Sequence, residues 1–253
     1  GLGEVLGLGH LPAERLQEWF HGLSMGAVNF EGDPVKQAAN DATAADIDRE
    51  LRPLMERMSA EPDGSAISSL LTHGCPAGEP RSVEAVMPSI KVILLGGMQE
   101  PGHAAASCLV GLLTHPDQLA WVRENPDRWD DVVHEALRWM PPIGTMQATA
   151  LSDVPLGGAV IPQGALVSAV VASACHDESL VEDPTRFDVH RVRRPNGAFG
   201  YGPHFCAGHQ FARDLERISL RLLVDAMPDL RLTAPVQFRG WEFRAPTAVP
   251  VAW

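Results

Sequence analysis

The residues best suited to chemistry lie in one short run, Phe199-Gly200-Tyr201-Gly202-Pro203-His204-Phe205-Cys206-Ala207-Gly208. Gly200 and Gly202 allow a tight backbone path. Cys206 stands at the entrance of a helical stretch, HQFARDLERISLRLLVDAM, near unpaired backbone N–H groups and the positive helix end. Gly208 lets a flat group come close to the backbone. This arrangement suits an anionic sulfur that binds a metal in a macrocycle. Two plainer readings use the same residues. One is a buried cysteine at a helix start. The other is a zinc site from His204, Cys206 and His209, although zinc usually takes paired ligands from two segments.

A second unusual run is GGMQEPGH, Gly96 to His103, set between the apolar segments SIKVILL and AAASCLVGLL. The apolar stretch from Ser82 to Leu113 reads as one long helix. Glycines, a proline, a carboxylate and an imidazole inside it cost stability, which marks the place as one with a use. Pro101 lacks an N–H and should open or kink the helix near Gly97. Glu100 in apolar surroundings should hold its proton to higher pH, as a proton donor needs. Glu135 and Arg138 add a pair at i, i+3 on one helix face, a spacing that on its own is common at surfaces.

The elements that must position these groups are mostly helices. Helical spacing runs from Pro12 through PAERLQEWFHGLSMGAV, then from Asp33 to about Ala60, and through GSAISSLLTH. EPDGS and HGCPAGEPR are loops. Two more helices are expected near 117–125 and 127–140. After Pro141-Pro142 the chain turns to short strand-like segments, ATALSDV, GAVIPQGALVSAVVA, DLRLTA and QFRGWEF. One helix, about Gly208 to Met227, interrupts them. The expected fold is mainly α with small β-sheets (α+β). With no linker in sight, 1–253 reads as a single domain.

The 253 residues carry a net charge of -12, which argues against a nucleic-acid partner. No apolar run is long enough for a membrane span. Four cysteines without a CxxC pair point to a reduced, cytoplasmic setting. The chain begins with glycine and lacks a signal-peptide pattern, so truncation or processing is expected and any targeting segment would lie upstream. Arginine outnumbers lysine, 18 to 2, a bias compatible with a GC-rich bacterial source.

The run Phe199-Gly200-x-Gly202-x-His204-x-Cys206-x-Gly208 resembles, at every specified position, the haem-binding loop of the cytochromes P-450. Glu135-x-x-Arg138 resembles that family's ExxR helix. Asp183-Pro184-x-x-Phe187-Asp188-x-x-Arg191 is similar to the segment that supplies the third member of its buried network. The segments occur in family order, and the likeness runs along the whole chain, but it covers only about the C-terminal three fifths of the family.

The resemblance implies a soluble bacterial haem-thiolate monooxygenase of secondary metabolism or catabolism. Haem b (iron protoporphyrin IX) would be the cofactor, with Cys206 as axial iron ligand. Phe199, Gly200 and Gly208 would border it, and His204 would reach a propionate. O2 and a small or medium organic molecule would be the substrates. An acidic ferredoxin, with its reductase, would dock on a basic face of Arg193, Arg194, Arg213 and Arg217.

The family usually carries a small residue, a glycine, an acid and a threonine over the oxygen side. Gly96, Gly97, Met98, Gln99 and Glu100 stand there, with Pro101 next. Gly97, Gln99 and Glu100 are thus the catalytic candidates, and Met98, Pro101 and Ile143 are pocket candidates. Glu100 then has three readings: proton delivery, contact with a cationic or hydroxylated substrate, or a structural pair with His103. Peroxide-driven chemistry is an alternative, as is a non-catalytic relative that recruits another enzyme. Ala148 stands where the family often has an arginine for a propionate, so weaker anchoring is expected. Cys175 replaces a usual asparagine and reads as a small buried residue.

Overall fold

A computed structural model describes residues 1–76 and 78–253; Ala77 of the expected HGCPAGEPR loop lies outside them. The chain forms two compact units, Gly1–Gln99 and Glu100–Trp253.

The first unit is helical: α1 (Leu2–Leu6), α2 (Ala13–Ala27), α3 (Pro34–Ala60), α4 (Ala66–Thr72) and α5 (Val83–Gly96). Asp33 caps α3 by accepting from Val35 N–H at 2.7 Å, with Pro34 in the first turn, a preorganised start. Ser65 and Ser82 cap α4 and α5 in the same way. Ile47, Leu51, Met55 and Met58 recur at helical spacing and bury one stripe of α3. The polar first half of α3 comes close to α2 because Gly22 and Gly26 carry no side chain; a Cβ on Gly22 would lie 1.9 Å from Thr43 Oγ1.

The expected single helix from Ser82 to Leu113 is two. α5 ends at Gly96, Gly97 is its C-cap, and α6 (Gln99–Thr114) starts afresh. Gly97 N–H still reaches Ile93 O at 2.9 Å. Pro101 has no N–H to give to the Gly97 carbonyl, which weakens the ladder there; beside the Gly96-Gly97 pair a break replaces the expected kink, whereas α3 and α5 run on through Pro53 and Pro88. Met98 packs on the core of the first unit.

In the second unit α6 is followed by α7 (Pro116–Glu124) and α8 (Trp129–Trp139), with a 3-10 turn at Pro126–Arg128 between them. Four two-stranded antiparallel pairs come next. β1 (Met146–Thr149) pairs with β4 (Leu166–Ala169), and β2 (Val154–Leu156) with β3 (Ala159–Ile161). Gly157 and Gly158, at φ 57° and 83°, make the tight turn between β2 and β3. Val171 and Ala172, the end of the expected strand-like segment, instead begin a short helix, α9 (Val171–Ala174). The helix α10 (His209–Ala226) precedes β5 (Arg231–Leu232), β6 (Phe238–Arg239), β7 (Ala245–Pro246) and β8 (Val251–Ala252). β5 pairs with β8, and β6 with β7. The fold is mainly α with small sheets.

The core of this unit joins α6, α7, α8 and α10 around Trp129 and Phe187. Buried Gln118 acts as a spare backbone: its amide donates to Phe187 O at 3.0 Å and accepts from Val189 N–H at 2.8 Å. Gly111 on α6 lets the Phe187 ring seat; a Cβ there would lie 2.7 Å from the ring. Gly111→Ala should therefore lower stability by about 1–3 kcal/mol. Gly102→Ala, on the same helix with open space around it, should stabilise by roughly 0.5–1 kcal/mol. Urea midpoints of the two variants check the contrast.

Candidate haem-loop and ion-pair site

The Glu135 carboxylate on α8 accepts four hydrogen bonds. Glu135 and Arg138 are 3% and 4% exposed, so neither charge is solvated by water. Arg138 grips the carboxylate with two bonds, Nε to Oε2 at 2.8 Å and Nη2 to Oε1 at 2.7 Å. Its other N–H groups donate to the carbonyls of Cys175 at 3.2 Å, Pro184 at 2.8 Å and Arg186 at 3.1 Å. Glu135 Oε1 also accepts the Asp188 N–H at 3.0 Å and Arg191 Nε at 3.4 Å. Arg191 donates onward to Glu182 O at 2.6 Å. The three residues expected to meet do meet, and Cys175 is buried beside them.

The cysteine loop is a local backbone device. Gly200 and Gly202 adopt φ 70° and 69°, the left-handed region that side chains rarely tolerate. With that path the chain folds back, and Cys206 N–H donates to Phe199 O at 3.0 Å. Gly208 is the N-cap of α10 and offers no side-chain cap, so backbone N–H groups near Cys206 are left for another partner. The His209 ring donates from Nδ1 to Cys206 O at 2.9 Å. Phe199 packs on Ala104, Val133 and Leu137, and its ring lies 5.0 Å below the Arg213 guanidinium. The loop is thus fastened to α6, α8 and α10.

These residues fit a flat macrocycle with an axial sulfur. The Cys206 thiol is free and half-buried. A Cβ on Gly208 would meet only Cys206 Sγ, at 3.8 Å, so the ground beside the sulfur is clear. His204 lies exposed in a 3-10 turn over Gly202–His204. Among the described residues no group of three or more His, Cys, Asp or Glu converges to hold a metal ion, which gives the zinc reading no support.

The other candidates are placed as follows. Gly97, Met98 and Gln99 belong to the first unit, Glu100 and Pro101 to the second. Pro101 is buried in the first turn of α6. Glu100 is half-buried, and its Oε2 is shielded from water without a hydrogen-bond partner. Loss of hydration pushes its carboxyl up to about 7. Burial pulls His103 down. Ile143 forms an antiparallel bridge with Phe243, and Ala148 is exposed in β1 opposite Val167.

Of the basic face, Arg193 pairs with Asp131. Arg217 pairs with Asp214 at 2.9 Å and Asp130 at 3.4 Å, so much of its charge is spent internally. Sequence reasoning missed Glu216, which is 1% exposed on α10; burial pushes its carboxyl up to about 8. The available signal was spacing, since Glu216, Leu220 and Val224 recur every four residues on the buried stripe.

Glu135→Gln should destabilise by about 3–5 kcal/mol, because Arg138 keeps its charge with no counter-ion; chemical denaturation followed by circular dichroism measures this. The folded-state value of Glu100 lies above the ordinary 4.5. Its contribution to stability is therefore full below pH 4.5 and is lost as pH rises through 7. Glu216 acts with the same sign up to about pH 8. Stability should fall from pH 5 to 8. Glu100→Gln should remove the part lost below pH 7, at most about 3 kcal/mol.

Comparison with known proteins agrees with this geometry. Residues 129–224 match the family model described as cytochrome P450. The chain is 30% identical over 244 residues to cytochrome P450 107B1 of Saccharopolyspora erythraea, covering 96% of this chain and 58% of the relative. It is 33% identical over 205 residues to 6-deoxyerythronolide B hydroxylase of the same organism, covering 79% and 50%. The solved structure of P450BioI in complex with hexadec-9Z-enoic acid ligated acyl carrier protein superposes with a TM-score of 0.86. That match has 27% identity over 100% of this chain and 64% of that one. The chain spans about half to three fifths of the length of these two curated relatives. No helix among the described residues is long and apolar enough to cross a membrane. The ion-pair network, the cysteine loop and these likenesses agree: the chain belongs to the cytochrome P450 family and represents its C-terminal part.

Proposed function

We propose that both units are the C-terminal portion of one haem-thiolate monooxygenase domain. The reading rests chiefly on one observation: Cys206 is held by its own N–H to Phe199 O, half-buried, with clear ground over Gly208. When bound, haem b supplies the activation of O2 and the transfer of one oxygen atom to an organic substrate. Cys206 would hold the iron, Phe199 and Gly200 would lie beside the cofactor, and His204 would meet a propionate, since position 148 is an alanine. The Glu135–Arg138–Arg191 network holds the segment before the loop in place.

Glu100 is the proton donor on the oxygen side, where the family usually has threonine. Its shielded, unpartnered Oε2 and its raised proton affinity support that role. Within the second unit, Pro101 and Ile143 are the pocket candidates that accompany Glu100. The substrate class is a small or medium organic molecule of secondary metabolism, in keeping with the hydroxylase relative. A ferredoxin and its reductase, in the cytoplasm, supply electrons at a basic face whose free charge comes from Arg194 and Arg213, since Arg193 and Arg217 are paired with carboxylates. The Glu100-Pro101 pair also favours a second reading, a peroxide-driven peroxygenase. The non-catalytic reading is set aside because Cys206 is present.

The reduced, carbon monoxide-bound protein should absorb at about 450 nm, the band expected of a thiolate-ligated haem; its absence would defeat the proposal. Turnover with peroxide alone, compared with turnover with ferredoxin and reductase, separates the two oxidants. With O2, Glu100→Gln should cut product formation by on the order of 100-fold while oxygen use continues as peroxide release. Full coupling in that variant would exclude the proton-donor role.

A further inference from the structure

The second unit contains a cleft that the haem loop does not account for. It lies between α8, the segment before the cysteine loop and the start of α10, and has a volume of about 470 Å³. That is within the ordinary range of small-molecule sites. Arg193, Arg194 and Arg213 converge on it, together with Asp130, His134 and Gln210. Cys206, His204 and Gly208 do not line it.

The charges around the cleft do not balance. Arg193 is paired with Asp131, and Asp130 with Arg217 at 3.4 Å. Arg194 spends one N–H on a neutral carbonyl, Leu180 O at 3.2 Å. Arg213 has no ion pair among the described residues, and its Nε is shielded from water without a hydrogen-bond partner. Its guanidinium is held in place by stacking on Phe199. His134 adds no counter-charge: its ring bonds to the Arg194 backbone, and burial, with Arg213 and Arg193 close by, keeps it neutral. The Glu216 carboxyl near Arg213 is pushed up to about 8 by burial and so keeps its proton at neutral pH; two positive charges are left facing one concavity in a chain whose net charge is -12. A planar fork with free N–H groups binds oxyanions through two parallel bonds.

We propose that this cleft binds a small dianionic oxyanion of the phosphate class. Two uncompensated guanidinium groups match a double negative charge, and the stacked, partly desolvated Arg213 is preorganised to meet it. An occupant here contacts Arg213, whose guanidinium covers Phe199, and the Phe199 carbonyl takes the Cys206 N–H. The site is therefore wired to the cysteine loop without touching it. It also uses two arginines of the proposed donor face, so a bound dianion competes with an acidic protein there.

The test does not depend on the haem reading, because binding is read directly. The full chain is titrated calorimetrically with inorganic phosphate, succinate and chloride at constant ionic strength. Phosphate should bind saturably and chloride should not. Arg213→Gln and Arg194→Gln should each weaken phosphate by about tenfold or more, while Arg231→Gln, away from the cleft, leaves it unchanged. Phosphate should also raise the pH at which the His134 ring titrates by nuclear magnetic resonance. Arg194 is exposed, so its variant remains informative if Arg213→Gln fails to fold. Absence of saturable phosphate binding, or unchanged affinity in Arg194→Gln, overturns the proposal. Tighter binding of succinate than of phosphate overturns the phosphate assignment.

Discussion

The Glu135 carboxylate is taken almost wholly out of water, and the second unit is arranged around that fact. A buried charge is tolerable only if its lone pairs are filled. Glu135 fills them with Arg138, the Asp188 N–H and Arg191. Arg138 in turn needs acceptors, and it takes three backbone carbonyls between Cys175 and Arg186. One helical pair thereby fixes the path of a segment with little regular structure. Gln118 repeats the device one layer away, where an amide stands in for a missing strand partner.

That fixed segment leads directly into the cysteine loop. From Arg191 to Cys206 the chain has few elements of its own, so its course depends on what anchors its ends. Arg191 anchors the start. Phe199, set into Ala104, Val133 and Leu137, anchors the middle. The two left-handed glycines then reverse the backbone and bring Cys206 to the open end of α10. Position, rather than any unusual side chain, sets this cysteine apart. The arginines near the loop divide into two kinds. Arg193 and Arg217 are neutralised by carboxylates of α8 and α10, whereas Arg194 and Arg213 have no ion pair among the described residues.

GGMQEPGH has an explanation in backbone chemistry. A proline withdraws one donor from a helix, and here, next to two glycines that hold the backbone loosely, the helix stops at Gly97. The break places Glu100 in the first turn of a new helix, partly shielded, with one oxygen unpartnered. Such a carboxyl is costly to ionise, which is the property a proton donor at neutral pH requires.

The sequence alone determined those features whose cause is local. Gly200 and Gly202 announce a reversal that other residues would resist. A cysteine two residues before a helix N-cap is visible from periodicity, and so is the i, i+3 pairing of Glu135 with Arg138. Arg191 was legible only through its spacing from Asp183 and Phe187, as part of a resemblance. The sequence also placed the opening of the long apolar stretch at Gly97, though not that it would be a full break. The tertiary structure decided what depends on neighbours far along the chain. It turned Val171 and Ala172 from strand to helix, because the apolar residues there fit either. It buried Glu216 on a face that composition alone would have left to solvent. It also determined which arginines are neutralised, since an ion pair is set by the distance between side chains in space, and one sequence carries no record of that distance.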